Sequence, residues 1–372
     1  MQKDNPIVFF WDLRATHKAP FDLRIRRLLK TCHVANKIKS NDLVALKIHF
    51  GEKGSTGFIP PLYVRPIIDF LRKSGCQPFL TDTNTLYVGE RGNAVSHGLQ
   101  AAKHGFDPNI LGAPIIIADG LKSNCEVVHT GQGNHFDHFY LAKDIAEADY
   151  LINLSHFKGH EICGFGGALK NLGMGCATRH GKMQQHCQLG PNLRPDKCQG
   201  CGSCLEVCRP GALYLNEKGA IDINRNLCLG CAACLSVCQY GGLEVDWDKE
   251  GKGLWERMTE YAQAILDQFP QQVLHINFVI CVSPACDCLS YTDAPICPDI
   301  GILASYDPVA VDQACLDLVN KAPAIYPGME NSEFSDCQDK FKALYPNSYS
   351  DYGLEYAQRI GLGHREYELI LT

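Results

Sequence analysis

The chain has 372 residues, enough for two to three units of roughly 150 residues each, and its 45% hydrophobic and 20% charged content excludes intrinsic disorder. Thirty-five Lys and Arg against 41 Asp and Glu leave a formal charge of −6, so no global field draws the chain to nucleic acid or an anionic membrane. No apolar run approaches the ~18 residues that span a bilayer, and Asp4 and Asp12 flank a short apolar strand unlike a signal peptide, so a soluble cytoplasmic protein is expected.

From the N-terminus, apolar runs at 7–11, 43–50, 79–82, 115–118 and 150–154 predict strands, and the amphipathic stretches 23–35 and 64–74 predict helices. Alternation of this kind implies an α/β fold, a mostly parallel sheet covered by helices. In an open α/β sheet the strand carboxyl ends share one edge, and ligands bind there. That edge is expected to gather Lys47, His49 and Glu52 after one strand, and Asp82, Asn84, Tyr87 and Arg91 after another.

The run at 150–154 leads into Ser155-His156-Phe157-Lys158-Gly159-His160-Glu161, then a glycine-rich stretch at 164–175 with Gly166, Gly167, Lys170 and Asn171, then Arg179, His180, Lys182 and His186. Between His156 and His186 four Lys or Arg stand against one acidic residue, a local +3 in a chain of −6. Glycine lets backbone N–H groups approach a phosphate or carboxylate, and lysine completes the charge, so an anion-binding loop is expected. The stretch lacks the third glycine of a dinucleotide fingerprint and the length of a P-loop. The competing reading is that the glycines permit tight packing and the His and Lys side chains are solvated.

Residues 190–250 break the alternation, bounded by Gly190-Pro191-Asn192 and a charged stretch at 246–252. Twenty Cys are too many for a large cytoplasmic protein unless thiols bind metal. Cys198, Cys201, Cys204 and Cys208 have the spacing C-x2-C-x2-C-x3-C, and Cys228, Cys231, Cys234 and Cys238 repeat it thirty positions on. The repeat extends to Gly200/Gly230, Leu205/Leu235, Val207/Val237, Gly211/Gly241 and Leu213/Leu243. Three close thiolates cap three irons of one cube while the fourth reaches the other. The expected sets are therefore Cys198, Cys201, Cys204 and Cys238 for one 4Fe-4S cluster, and Cys228, Cys231, Cys234 and Cys208 for a second. Zinc is disfavoured, because two C-x2-C pairs would already complete a four-thiolate site. The segment resembles a two-cluster bacterial ferredoxin, with Pro210 one position late and Tyr240 where the second proline would fall.

Beyond it, a helix at 254–269, strands at 273–282 and 300–305, and a helix opened by Asp307-Pro308 resume the earlier pattern. The expected organisation is one α/β core from 1–189 and 251–372 with the module 190–250 inserted. Cys281, Cys286, Cys288 and Cys297 form a third group that admits another metal site, a redox-active thiol pair or inert thiols. The last forty residues carry only a weak pattern.

Residues 47–51, 81–87, Phe157-Lys158-Gly159-His160, 164–176, the two cysteine motifs, Cys286-Asp287-Cys288 and 293–303 together resemble the uncharacterised iron-sulfur centre proteins, domain of unknown function family 362. The likeness spans about residues 40–320, and of the third cysteine group only Cys286 and Cys288 fall on it. The expected function is redox: two 4Fe-4S clusters take electrons from a soluble donor protein and pass them to an anionic small molecule, a cofactor or a metal site in the α/β core. His156, Lys158, His160 and Lys170 are the candidate catalytic residues. His49, Asn84, Gly166, Gly167, Asn171, Lys182 and His186 are candidates for holding the ligand, with an additional metal centre near Cys286 and Cys288. A non-enzymatic electron carrier or a metal-centre assembly or sensing protein is the alternative. Nucleic acid is disfavoured as a partner, because Phe157 and Phe165 are the only aromatics in the basic patch.

Overall fold

The computed structural model describes residues 5–186, 190–245, 251–270, 273–325 and 339–372. Its main strands are β1 (Ile7–Trp11), β2 (Leu43–Lys47), β3 (Gln77–Asp82), β4 (Ile115–Ile117), β5 (Tyr150–His156), β6 (Leu274–Val279), β7 (Gly301–Ser305) and β8 (Glu368–Leu371). They form one sheet in the order β8-β1-β7-β6-β5-β2-β3-β4, with strands from both sides of residues 190–245. The sheet is mostly parallel: β7 alone runs against its neighbours, antiparallel to β1 and to β6. Strand β8, unforeseen in the sequence, pairs with β1 from Ile7↔Glu368 to Phe10↔Leu371. It is a short, largely exposed edge strand, so no buried face imposes the alternation that marks a strand.

Eight helices matter below: α1 (Phe21–Thr31), α2 (Pro61–Lys73), α3 (Ala94–Lys103), α4 (Ala168–Gly173), α5 (Arg179–His186), α6 (Gly251–Leu266), α7 (Pro308–Lys321) and α8 (Ser350–Arg359). Successive strand residues point to opposite faces. Ile152 and Leu154 of β5 and Ile276 and Phe278 of β6 join Ile67 and Leu71 of α2 in one apolar core. The intervening Asn153, Ser155, His275 and Asn277 are buried on the other face, under α4 and α7. There a second core takes Leu169 and Leu172 of α4, Trp255 and Met258 of α6, Val311 of α7 and Leu354 of α8.

The chain leaves β2 for α2 on one face and β5 for α4 on the other, although β2 and β5 are neighbours. That is a topological switch point, and it opens a crevice at the strand carboxyl ends. Lys47 lies there, opposite Asn153 in the register.

The cysteine-rich segment is tied at its base, where Asn192–Leu193 pairs with Leu243–Glu244. It has its own small core of Leu213, Ile221, Ala232, Leu235 and Leu243, into which Leu86 and Met183 of the α/β part also pack. Its halves copy each other in backbone as well as sequence. Cys208 and Cys238 share φ −82 with ψ 84 and 85, and Gly202 at φ 80 corresponds to Ala232 at φ 57. The left-handed region disfavours a side chain, so Ala232 is held there by its surroundings. Most of the expected closing linker, residues 246–250, lies outside the described residues.

Candidate functional site

Two linked groups of buried polar side chains fill the crevice. In the first, Lys47 Nζ, at 0% exposure, lies 2.9 Å from Asp82 Oδ1 and donates to Asn171 Oδ1 over 2.7 Å. Arg91 reaches Asp82 Oδ2 at 3.6 Å, Glu52 Oε2 at 3.1 Å and His49 Nε2 at 2.8 Å. Tyr87 donates to the carbonyl of Cys288 over 2.8 Å, joining this group to the second. Burial would raise the Asp82 carboxyl, but Lys47 and His97 beside it hold it well below its ordinary range.

The second group centres on Asp287. His156 Nδ1 is 2.9 Å from Asp287 Oδ2, and His156 Nε2 is 2.8 Å from the Ile280 carbonyl. Lys158 Nζ stands 3.4 Å from the same carboxylate. Lys170 donates to Cys286 Sγ over 3.3 Å, and the Cys288 N–H approaches that sulfur at 3.5 Å. A hydrogen bond from Cys288, then the charges of Lys170 and Lys158, bring the Cys286 thiol well below its ordinary range despite burial. His160 and His186 are kept neutral, first by burial and then by Lys170.

Sequence candidates at the strand ends thus converge, but their roles differ. Asn171 is a structural link: it accepts from Lys47 and donates to Asn153 Oδ1 and the Leu154 carbonyl. Asn84 holds Asp119 through its side-chain N–H at 2.8 Å. Lys182 is bonded to Thr83 Oγ1 and to the Asn84 carbonyl, and burial brings its ammonium down to about 8. Gly166 and Gly167 have the geometry of close packing. A Cβ on Gly167 would stand 2.3 Å from Asp312 Oδ1, and one on Gly166 would stand 3.2 Å from Lys170 Cδ. The N–H groups of Ala168 and Leu169, which would face an anion at the start of α4, donate instead to Asp312 at 2.7 and 3.0 Å.

Asp287 and Asp312 are central here and were absent from the candidate roles. Asp287 had a local signal, lying between two cysteines in the motif. Asp312 had none, since it arrives from α7, across the sheet face. Cys297 belongs to the apolar core and Cys281 to the turn after β6, where its N–H donates to Asp299. Among the described residues, no three His, Cys, Asp or Glu side chains converge as ligands of one metal ion.

The cysteine-rich segment holds two small open cavities. Cys208, Cys228, Cys231 and Cys234 line one, and Cys198, Cys201, Cys204 and Cys238 line the other. Backbone N–H groups point at the sulfurs, from Ile221 and Gly200 to Cys198 at 3.3 and 3.4 Å, and from Leu243 to Cys238 at 3.2 Å. No helix among the described residues is long and apolar enough to cross a membrane.

Fold and site define an α/β protein with a buried ionic centre at the switch point of a mostly parallel sheet, and a cysteine-rich segment packed beside it. The chain belongs to the family described as Domain of unknown function (DUF362), whose model matches residues 44–317. No curated protein matches it. Among solved structures, a Thermotoga maritima protein, a structural genomics target, is similar with a TM-score of 0.42 and 9% identity over 81% of this chain. The lactate racemase apoprotein from Thermoanaerobacterium thermosaccharolyticum is similar with a TM-score of 0.37 and 14% identity over 74% of this chain. The chain spans 59% and 51% of those two proteins, a likeness too slight to bear on function.

Proposed function

We propose that this is an iron-sulfur redox protein whose cysteine-rich segment is a two-cluster ferredoxin-type module, inserted into the α/β core and delivering electrons to an anionic small molecule at the switch-point crevice. The observation that carries the reading is the make-up of the two cavities: each is lined by three closely spaced cysteines and a fourth from the other half of the repeat. Four cysteines around a cavity suit a 4Fe-4S cube, and in the cavity of Cys198 and Cys238 backbone N–H groups aim at those two sulfurs, the kind of hydrogen bond that tunes a cluster's potential. Bound there, the cubes would supply one-electron transfer. A soluble donor protein is the partner such a module implies, with an oxidoreductase activity as the outcome.

In the crevice, Lys158 and Lys170 supply positive charge under cover from water, which strengthens their hold on an anion. His156 is fixed by Asp287 and the Ile280 carbonyl, leaving His160, a neutral imidazole under the influence of Lys170, for proton exchange.

Anaerobically purified protein is expected to contain about eight irons and as many sulfides per chain. Lys170→Ala is expected to keep that content and its absorbance while weakening inorganic phosphate binding, read by calorimetry, at least about tenfold. An iron-free protein rules the reading out, and unchanged phosphate binding removes Lys170 from the ligand site.

A further inference from the structure

Cys286 and Cys288 do not behave as packing residues. The Cys288 N–H approaches Cys286 Sγ at 3.5 Å, and the Lys170 ammonium donates to the same sulfur over 3.3 Å. Cys286 is only 6% exposed and Cys288 is half-buried, so electrons from the cysteine-rich segment have to arrive through the chain. Helix α5 provides the contact. Its Met183 packs into the core of the cysteine-rich segment, and a Cβ on Gly230 would lie 3.8 Å from the His180 ring. Near the far end of α5 the Gln185 carbonyl accepts from Arg257 Nε at 2.7 Å, and His186 closes the helix.

Resting on the function proposed above, we infer that Cys286 and Cys288 are a dithiol/disulfide pair that collects single electrons from the cysteine-rich segment and releases them two at a time to the anionic small molecule. The step balances. The Cys286–Cys288 S–S bond accepts two electrons and one proton, and breaks to the Cys286 thiolate and the Cys288 thiol; the return step gives two electrons and one proton to the acceptor. The chain's own charges suit both states. In the reduced pair the Cys286 thiolate faces the Lys170 ammonium at 3.3 Å. In the disulfide that ammonium is free to hold an anion. A metal ion on the same sulfurs would instead have to displace the Lys170 ammonium.

The test uses the full-length, iron-loaded protein. It is oxidised anaerobically with diamide, then titrated with dithionite. The visible spectrum follows the clusters, and mass spectrometry of a non-reducing digest follows the pair. The peptide carrying Cys286 and Cys288 is expected to be two hydrogens lighter in the oxidised sample and to regain them on reduction, with two electrons taken up beyond those of the clusters. Cys288→Ser is expected to lose the extra uptake with the cluster spectrum unchanged, and Cys286→Ser serves as the second variant. Clusters that reduce fully while the pair stays a dithiol throughout overturn this inference and leave the iron-sulfur reading standing. A sample without clusters overturns both.

Discussion

Asp287 carries more of the crevice than any single residue visible in the sequence. It bonds His156, faces Lys158, and lies between the two cysteines of the pair, while its carbonyl accepts from the Glu52 N–H at 3.1 Å. Burial alone would raise its carboxyl, yet His156 and Lys158 pull it far below its ordinary range. Removing one partner of a buried ion pair leaves the other charge uncompensated, at a cost of about 3–5 kcal/mol. Asp287→Ala is expected to lose that much in urea unfolding, while Lys18→Ala on the exposed surface stays within about 0.5 kcal/mol of the parent. Equal losses for both would mean that the Asp287 pair contributes nothing specific.

Helix α4 shows how an element of six residues is held where the sequence suggested a ligand. Asp312 from α7 accepts from Ala168 and Leu169 at its start and from Asn277 Nδ2 at 2.7 Å, so one carboxylate ties α4, α7 and β6 together. At its end Gly173 lies against α6, where a Cβ would stand 2.0 Å from the Met258 carbonyl. The glycines of this stretch thus buy close approach of helices and loops, and the lysine they position, Lys170, is what reaches the crevice. Asp312→Ala strands three buried N–H donors, two of the backbone and one of Asn277, each worth about 1–3 kcal/mol when unsatisfied. A loss of roughly 3 kcal/mol in denaturant midpoint analysis is expected, with Asp312→Asn losing less because one acceptor oxygen remains. If Asp312→Ala is as stable as the parent, water replaces the cap and α4 is open to an anion after all.

Across the whole molecule, the buried imidazoles set the acid limit. His49, His160, His186 and His275 are all held below the ordinary 6.5 by burial, His186 and His275 to about 3. Their neutral forms belong to the folded state, so below about pH 6.5 the unfolded chain binds more protons. The stability they contribute is complete above that pH and is lost as pH falls toward the folded values. Asp82 and Asp287 add a further loss below the ordinary carboxylate range. Asp312, which burial raises to about 6, acts in the opposite sense between about pH 6 and 4, as do Asp119 and Asp144, also raised by burial, while His97, lowered by burial, adds to the imidazole side. Thermal unfolding followed by circular dichroism is expected to give a melting temperature that declines steadily from about pH 6.5 to 4, less steeply in His275→Gln. A flat profile over that range would mean that these imidazoles protonate without cost in the fold.

The sequence by itself determined what depends on neighbours along the chain. Alternating apolar and amphipathic runs announced the mostly parallel sheet, and thiol spacing with a thirty-residue repeat announced which cysteines share each cavity. Strand ends named most crevice residues, because a parallel sheet puts its carboxyl ends on one edge whatever the details of packing. What only the tertiary structure decided is how those residues are used. Asn84 and Asn171 are engaged in holding Asp119 and the strand backbone, Asp312 takes the place an anion would need on α4, and β8 returns from the far end of the chain to pair with β1. Each of these rests on a partner from 17 to more than 300 residues away, so no local period or spacing encodes it; the contact exists only once the fold has brought the two segments together.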